Sequence, residues 1–442
     1  MKVRRVLVDR MSYYVAKLYN VTALVFWSVG ICAAGCFLLS LSSACTQSAI
    51  GIVSDGGTVK DSQMDTGVPL DVEDFPDGSP GCDIPEEMTI IENPTEPSFV
   101  MEIEQTIGGH YVLGGAQGWQ NLTAGLWLLA SHDLSVMDSI GVDGEMVFPS
   151  IKDQATIWTV TVKDNEVSLH HYEMVVEFMS EVSIGGFLGS VSICNECVPA
   201  WQGPVYFGGK FYVATRSFGD QHVTLTGVDV ANGSIGDIEN IDVFPGSDPW
   251  LAADEEHLYL VYLLDNAVRF LAFDETGAQV GEEHTLEPAS AVGVLGVTEA
   301  MEGGAWVAFS SHDEDMNLEF NLGKANINGQ IDPWIVMDTS LGGGFHVSMT
   351  ESRSLLGISW GEIYGQGRVG AHFMALEAYD TSLLTEDTLL SPPIGRSSVS
   401  HSIWSAIAPH RKGFVTVWGG WNEETNHGIY GKILKCNSAY IF

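Results

Sequence analysis

The chain has 442 residues, of which 45% are hydrophobic and 12 are tryptophan, so it can bury a sizeable core and wholesale disorder is excluded. Its 57 acidic residues outnumber its 19 basic ones, and the formal net charge of −38 argues against nucleic acid as a direct partner. The 49 glycines and the scarcity of helix-favouring stretches indicate many strands and many tight turns.

The first 44 residues are typical of an export signal. A basic opening, Met1–Lys17, precedes an uncharged apolar run, Val21–Ala44. The run ends in Leu-Ser-Ser-Ala-Cys at positions 41–45, which resembles the lipobox of bacterial lipoproteins, where small residues precede a cysteine that becomes the lipidated mature N-terminus. The resemblance implies lipidation at Cys45, with Cys36 as the alternative site. The alternatives are that the segment is an uncleaved signal anchor or that the protein is simply secreted.

An acidic segment, residues 45–98, follows the export signal. It is poor in aromatic residues and rich in Asp, Gly, Ser and Pro. Such a composition buries too little apolar surface to offset the entropy of ordering the chain. We therefore interpret this segment as a flexible tether and place the folded domain at 99–442.

One strand pattern recurs seven times from residue 99 onward. Its copies are HYVLGGA, TIWTVTV, KFYVATR, HLYLVYL, GAWVAFS, SLLGISW and GFVTVWG. Their anchor positions are Tyr111, Trp158, Tyr212, Tyr259, Trp306, Leu356 and Phe414, at separations of 47 to 58 residues. A period in this range with no helical signal inside it is typical of β-propeller blades.

The residues around each anchor strand also fit the strand order of a propeller blade. A polar hairpin loop and a second strand follow the anchor, and small apolar residues precede it, as in DPWLAAD, FHVSMTE and SIWSAIAP. We expect these preceding segments to be the innermost strands. The predicted fold is a single all-β propeller of seven blades, with tandem β-sandwiches as the alternative. The last unit lacks an outer strand, and we expect Ser98–Glu104 to supply it and close the ring.

Four cysteines remain beyond Cys45, and an even set in an oxidising compartment indicates disulfides. Ring closure brings the end of the tether beside the C-terminus, so we predict a Cys82–Cys436 disulfide. Cys194 and Cys197 then form a local pair. A zinc or redox role for this C-x-x-C is less favoured, because no second ligand pair and no helix accompany it.

Candidate binding residues lie at the propeller axis and at one hairpin. Polar or aromatic residues at the starts of the inner strands predict an axial pocket, formed by Asp248, Trp250, His346, His401 and Trp404. The alternative for the two tryptophans is packing between blades. A hairpin begins like a calcium loop, with oxygen ligands on Asp313, Asp315 and Asn317, but it lacks the loop's glycine and closing glutamate. Apart from calcium there, no cofactor is expected.

The lipobox-like start, the acidic tether and the degenerate blades together resemble uncharacterised surface lipoproteins of bacteria with propeller-type repeats. The resemblance implies a monomer held in the cell envelope by a lipid anchor, at the outer membrane and facing either the periplasm or the surface. The favoured function is a binding or scaffold module that recognises a protein or glycan through propeller loops. The alternative is a propeller enzyme, a lyase or hydrolase acting on extracellular glycans, which needs two acid–base groups in one cleft.

Overall fold

The computed structural model describes residues 80–438, with internal gaps at 86–87, 94–97, 119–121, 154, 177–181, 219–220, 231–233, 287–290, 314–317, 338–346, 365–367, 391–404 and 423–425. These residues form thirty β-strands and no helix. Accordingly, no helix in this part of the chain has the length and apolar character needed to cross a bilayer. The export signal and Cys45 lie outside the described residues.

The strands form seven antiparallel sheets, each of which is one blade. Two short strands come first, β1 (Gly81–Asp83) and β2 (Met88–Asn93). Blade 1 holds β3 (Ser98–Gln105), β4 (Tyr111–Gln117), β5 (Thr123–Leu129) and β6 (Val136–Gly141). Blade 2 holds β7 (Met146–Ile151), β8 (Thr156–Lys163), β9 (Glu166–Val176) and β10 (Val182–Asn195). Blade 3 holds β11 (Cys197–Pro199), β12 (Val205–Phe207), β13 (Lys210–Ser217), β14 (His222–Asp229) and β15 (Ile238–Pro245).

The second half of the ring repeats the same order. Blade 4 holds β16 (Ser247–Ala253), β17 (Leu258–Leu264), β18 (Ala267–Phe273) and β19 (Gln279–Leu286). Blade 5 holds β20 (Ala291–Glu299), β21 (Ala305–His312), β22 (Leu318–Ala325) and β23 (Ile331–Met337). Blade 6 holds β24 (Val347–Ser352), β25 (Leu355–Tyr364), β26 (Arg368–Glu377) and β27 (Leu383–Leu389). Blade 7 holds β28 (Ser405–His410), β29 (Gly413–Asn422) and β30 (Asn426–Asn437). The predicted seven-bladed all-β propeller is confirmed.

Around most of the axis the inner strands of neighbouring blades contact each other, and in blade 3 it is β12 that contacts the inner strand of the next blade, β16. Contact between β28 and β3 joins blade 7 to blade 1 and completes the ring. The segments predicted as innermost strands from DPWLAAD, FHVSMTE and SIWSAIAP correspond to β16, β24 and β28. All inner strands run in the same direction, so they end at one face of the propeller. We call this end the exit face.

The ring is closed by β1 and β2, which pair with β30 as the outer strand of blade 7. The expectation that Ser98–Glu104 closes the ring is wrong, because β3 occupies these residues and is the inner strand of blade 1. Val100 and Ile103 of β3 are buried between blades 1 and 7, which an outer strand would leave half exposed. The propeller therefore begins near residue 81, inside the segment interpreted as a tether.

The seven anchor positions all lie in the second strand of their blades, and every anchor side chain is at most 1% exposed. The buried apolar residues of the described chain form seven clusters between adjacent blades, and the cluster between blades 2 and 3 also includes Met101 and Ala116 of blade 1. Burial of a large side chain stabilises the fold by about 1.5–3 kcal/mol. The recurring anchor residue, which is aromatic in six blades and Leu356 in blade 6, therefore helps to hold each blade against its neighbours.

Candidate functional site

The axis holds a channel of about 530 Å³, which lies within the range of about 300–1,000 Å³ typical of ligand pockets. The inner strands of six blades and a loop of blade 3 line it, so every blade contributes residues. Four of its lining residues are glutamates, Glu102, Glu104, Glu299 and Glu351, and Lys152 is the one basic residue among them. Acidic side chains therefore outnumber basic ones in the channel lining.

A loop of blade 3 enters the channel and contacts Glu102. The inner edge of this blade is split into β11 and β12, and the intervening loop carries Gln202 and Gly203. The Gln202 side chain accepts a hydrogen bond from the backbone N–H of Leu251 and donates one to its carbonyl, both at 2.9 Å. The backbone N–H of Gly203 donates to Glu102 Oε2. A Cβ at Gly203 would overlap the carbonyl oxygen of Pro149, so glycine is required for this close approach.

Glu102 and Glu104 lie two residues apart on β3 and therefore share one side of the strand. Burial and the neighbouring charge of Glu104 raise the pKa of Glu102 well above its ordinary value, although the hydrogen bond from Gly203 opposes this. Burial raises the pKa of Glu104 from 4.5 to about 7. The described residues give Glu102 a hydrogen-bond donor and give Glu104 none. Glu104 is thus the carboxyl group on this strand that a ligand can engage.

Glu299 lies at the exit face, at the last residue of β20. Its pKa is raised from 4.5 to about 7, chiefly by burial and further by the charges of Asp254, Glu351 and Glu255. Two of these neighbours already have structural partners. Asp254 accepts hydrogen bonds from Tyr259 Oη at 2.5 Å and from a backbone N–H of blade 5 at 2.9 Å. Glu351 accepts one from Trp306 Nε1 at 2.8 Å.

The basic residue of the channel is held on an aromatic ring. Lys152 Nζ lies 4.1 Å from the ring centroid of Tyr206, a cation–π contact. Lys152 follows the inner strand of blade 2, so its ammonium group also lies near the exit face. Its charge offsets one of the four glutamates, and the channel remains acidic as a whole.

The structure describes two of the five residues predicted to form the axial pocket. Trp250 lines the channel, but it is only 4% exposed and also belongs to the cluster between blades 4 and 5. Asp248 does not line the channel. It lies at the start of β16 with a positive φ of 49° and 3.4 Å from Arg216 Nη1, and burial raises its pKa. His346, His401 and Trp404 lie outside the described residues.

Sequence reasoning missed the channel glutamates, although β3 carries a signal. In Met101-Glu102-Ile103-Glu104 the acids alternate with apolar residues, so one side of a strand is acidic. That segment was assigned to the outer edge of the ring, where acidic residues need no explanation. Because β3 lies at the axis, the acidic side of this strand lines the channel.

Both predicted disulfides are present. Cys82 and Cys436 lie directly opposite each other on β1 and β30 and are bonded, as are Cys194 and Cys197. Asp313 follows β21, whereas Asp315 and Asn317 lie outside the described residues. Within the part of the chain that the structure covers, no three His, Cys, Asp or Glu side chains are grouped closely enough to hold a metal ion.

No protein-family model matches the chain, and no curated protein matches it. Among solved structures, it is similar to a protein of unknown function from Dyadobacter fermentans, with 10% identity and a TM-score of 0.47 over 81% of this chain and 100% of that chain. It is also similar to the Dos1 propeller, with 13% identity and a TM-score of 0.45 over 80% and 88% of the two chains. Hydrazine synthase of Kuenenia stuttgartiensis gives 11% identity and a TM-score of 0.48 over 76% and 96%.

Proposed function

We propose that the protein is an envelope-displayed binding module that takes an amine-bearing group of a protein or glycan partner into its axial channel. The observation that carries the proposal is the excess of carboxyl groups over basic groups in the channel, where no hydrogen-bond donor among the described residues contacts Glu104 or Glu299. A protonated amine supplies the positive charge and the hydrogen-bond donors that these carboxylates need. The net charge of −38 also attracts basic ligands at long range.

The proposal also includes the cellular location of the protein. Cleavage after residue 44 and lipidation of Cys45 attach the protein to the membrane as a monomer. Labelled palmitate incorporated in the producing bacterium tests this. Incorporation is expected to be lost in Cys45→Ala and retained in Cys36→Ala, and the opposite pattern would move the anchor to Cys36.

Calorimetry on the full chain in detergent tests the binding site. The probes are spermidine and tri-lysine, and the control ligand is tri-lysine acetylated on its side chains and on its N-terminal amine. We expect tri-lysine to bind and the acetylated peptide not to bind. Glu299→Gln should weaken binding about tenfold, whereas Glu282→Gln, at an exposed glutamate of β19, should leave it unchanged. Equal binding of both peptides would refute the proposal.

A second candidate is a propeller enzyme that acts on extracellular glycans. The observation in its favour is the presence of two adjacent carboxyl groups in one channel, with the pKa of Glu104 near neutrality, where a general acid works best. Release of reducing ends from peptidoglycan and from soluble polysaccharides, measured between pH 6 and 8, tests this candidate. Activity that Glu104→Gln abolishes would support it, and no release from any substrate would eliminate it.

A further inference from the structure

A second cavity, of about 640 Å³, lies on the side of the propeller between blades 1 and 2. We call it the flank pocket. Its walls come from the end of β6, from the side of the blade 2 sheet that faces blade 1, and from the outer strand β10. It opens towards the β8–β9 hairpin, which is the end of blade 2 where β7 begins. The flank pocket therefore lies away from the exit face and shares no lining residue with the axial channel.

The flank pocket exists because blade 1 covers blade 2 incompletely. The outer strand of blade 1, β6, has 6 residues, whereas β9 and β10 of blade 2 have 11 and 14. The apolar cluster between the two blades reaches Tyr172 and Ile184. Beyond Tyr172, the same side of β9 carries His170, Ser168 and Glu166 at alternate positions. The polar half of this sheet thus faces a cavity instead of a neighbouring blade.

Two β-bulges aim an aromatic side chain into the flank pocket. The register between β9 and β10 shifts on both sides of Phe187, which pairs with Tyr172. Phe187 packs at 5.5 Å against His170 and against Tyr172, with ring planes at 68° and 61°. It nevertheless remains 53% exposed. Bulges that redirect a side chain next to a cavity are a recurrent feature of binding sites.

The polar lining of the flank pocket offers both donors and acceptors. Lys163 Nζ donates to both carboxylate oxygens of Asp143, at 2.7 and 2.8 Å. Glu166 provides acceptors, and the Asn195 amide provides a donor and an acceptor. Burial lowers the pKa of His170, against the opposing charges of Asp143 and Glu166, so this imidazole is neutral at pH 7 and can also serve in both roles.

The mixed lining matches one ligand class, a neutral sugar. A sugar ring presents an apolar C–H side that packs on an aromatic ring and hydroxyl groups that both donate and accept. An organic cation is best held by several aromatic faces, but Tyr172 is only 3% exposed, whereas Phe187 is the widely exposed aromatic ring of the lining. We propose that the flank pocket binds a neutral sugar unit of a glycan, with Phe187 as the platform.

The second disulfide supports this assignment. Asn195 lies between Cys194 and Cys197, which are bonded to each other at the junction of β10 and β11. The bond fixes the backbone on both sides of Asn195. A flank pocket with a held amide and a held aromatic ring is organised before the ligand arrives, which lowers the entropy lost on binding.

Calorimetry on the full chain in detergent tests the proposal with four soluble probes: cellotetraose, maltotetraose, mannotetraose and chitotetraose. We expect saturable binding of at least one of them. Phe187→Ala should weaken it at least tenfold, and Glu166→Gln should weaken it several-fold. The matched control is Phe218→Ala, which removes an equally exposed phenylalanine (58%) from blade 3 and should leave affinity unchanged. Circular dichroism of each variant confirms that the propeller is folded.

The outcomes separate the flank pocket from the axial channel. Glu299→Gln should leave oligosaccharide binding intact, and a loss there would place the sugar in the channel and overturn this inference. Absence of binding to all four probes would also overturn it, as would equal effects of Phe187→Ala and Phe218→Ala. Binding of tetramethylammonium that is lost in Phe187→Ala would identify the flank pocket as a cation site instead. None of these results bears on tri-lysine binding.

Discussion

Replacement of Glu104 by glutamine tests most directly whether a buried charge in the channel destabilises the fold. In the folded chain the pKa of Glu104 is raised from its ordinary value of 4.5 to about 7 because the carboxyl group is buried. A raised carboxyl pKa means that the folded state binds the proton more tightly than the unfolded state. The free energy of unfolding therefore decreases as pH rises from 4.5 to 7, and the full penalty is present above pH 7.

The size of the penalty follows from the shift. A change of one pKa unit corresponds to about 1.4 kcal/mol, so the shift of Glu104 is worth about 3 kcal/mol at pH 8. Glutamine has nearly the same shape and no charge, and it also removes the repulsion that raises the pKa of Glu102. Glu104→Gln should therefore increase the free energy of unfolding at pH 8 by up to about 3 kcal/mol and change it little at pH 4.5.

Urea unfolding at pH 8 and pH 4.5, followed by tryptophan fluorescence, measures this difference. Glu282→Gln is the control, because its carboxylate is exposed and its removal should shift neither midpoint. The reasoning is refuted if Glu104→Gln changes stability by the same amount at both pH values. That result would mean that the group is already neutral, or already well solvated, at pH 8.

Three further predictions concern the disulfide, the loop and the pH dependence of binding. Loss of Cys82–Cys436, which closes the ring over 354 residues, should lower the free energy of unfolding by about 2–5 kcal/mol, whereas loss of Cys194–Cys197, three residues apart, should lower it much less. Gly203→Ala should destabilise the protein by about 1–3 kcal/mol and weaken tri-lysine binding, because the loop must leave the channel. Tri-lysine should bind more weakly at pH 6 than at pH 8, because protonation neutralises the channel glutamates.

Each of these three predictions has its own control and its own contrary result. Double serine variants of the two cysteine pairs are compared by thermal unfolding, and equal losses would contradict the ring-closure argument. Gly186→Ala is the control for the loop, because no atom lies within 4 Å of its added Cβ. Calorimetry at the two pH values decides the third prediction, and tighter binding at pH 6 would contradict it, since the lysine ammonium groups stay charged throughout.

The architecture could be predicted from the sequence because each blade repeats the same local requirement. A large apolar anchor such as Trp158 or Phe414 must be buried against the next blade, and this requirement recurs at a period that local pattern alone reveals. The hairpin turns could also be predicted from local sequence. Asp164 and Asn165 adopt φ of 50° and 66°, which a tight two-residue turn demands.

The closing strand was misassigned because its identity depends on the whole ring. The inner strands that were named from the sequence, before Tyr259, Leu356 and Phe414, were correctly placed, and the same rule applied to Tyr111 would have made Ser98–Glu104 the inner strand of blade 1. Strands β1 and β2 lie at the end of an acidic, linker-like segment, and β2 carries only a short apolar run, Ile90–Ile91. This pair of strands is ordered by backbone pairing with β30, by the disulfide to Cys436 and by packing of Ile90 and Ile91 against the cluster between blades 7 and 1, and the pairing cannot be inferred from so short an apolar run.

The channel could not be assembled from sequence for a related reason. Glu104 and Glu299 are 195 positions apart, and each lies in a strand whose local pattern requires only pairing and burial of its neighbours. Their shared consequence, a pKa near 7, arises from burial that several blades impose together. A buried carboxylate at either position lowers the stability of the folded protein at neutral pH and above. Both carboxyl groups line an open cavity. In the proposed function, an ammonium group of the ligand pairs with these carboxyl groups and stabilises their charged form, so binding of an amine should lower both pKa values.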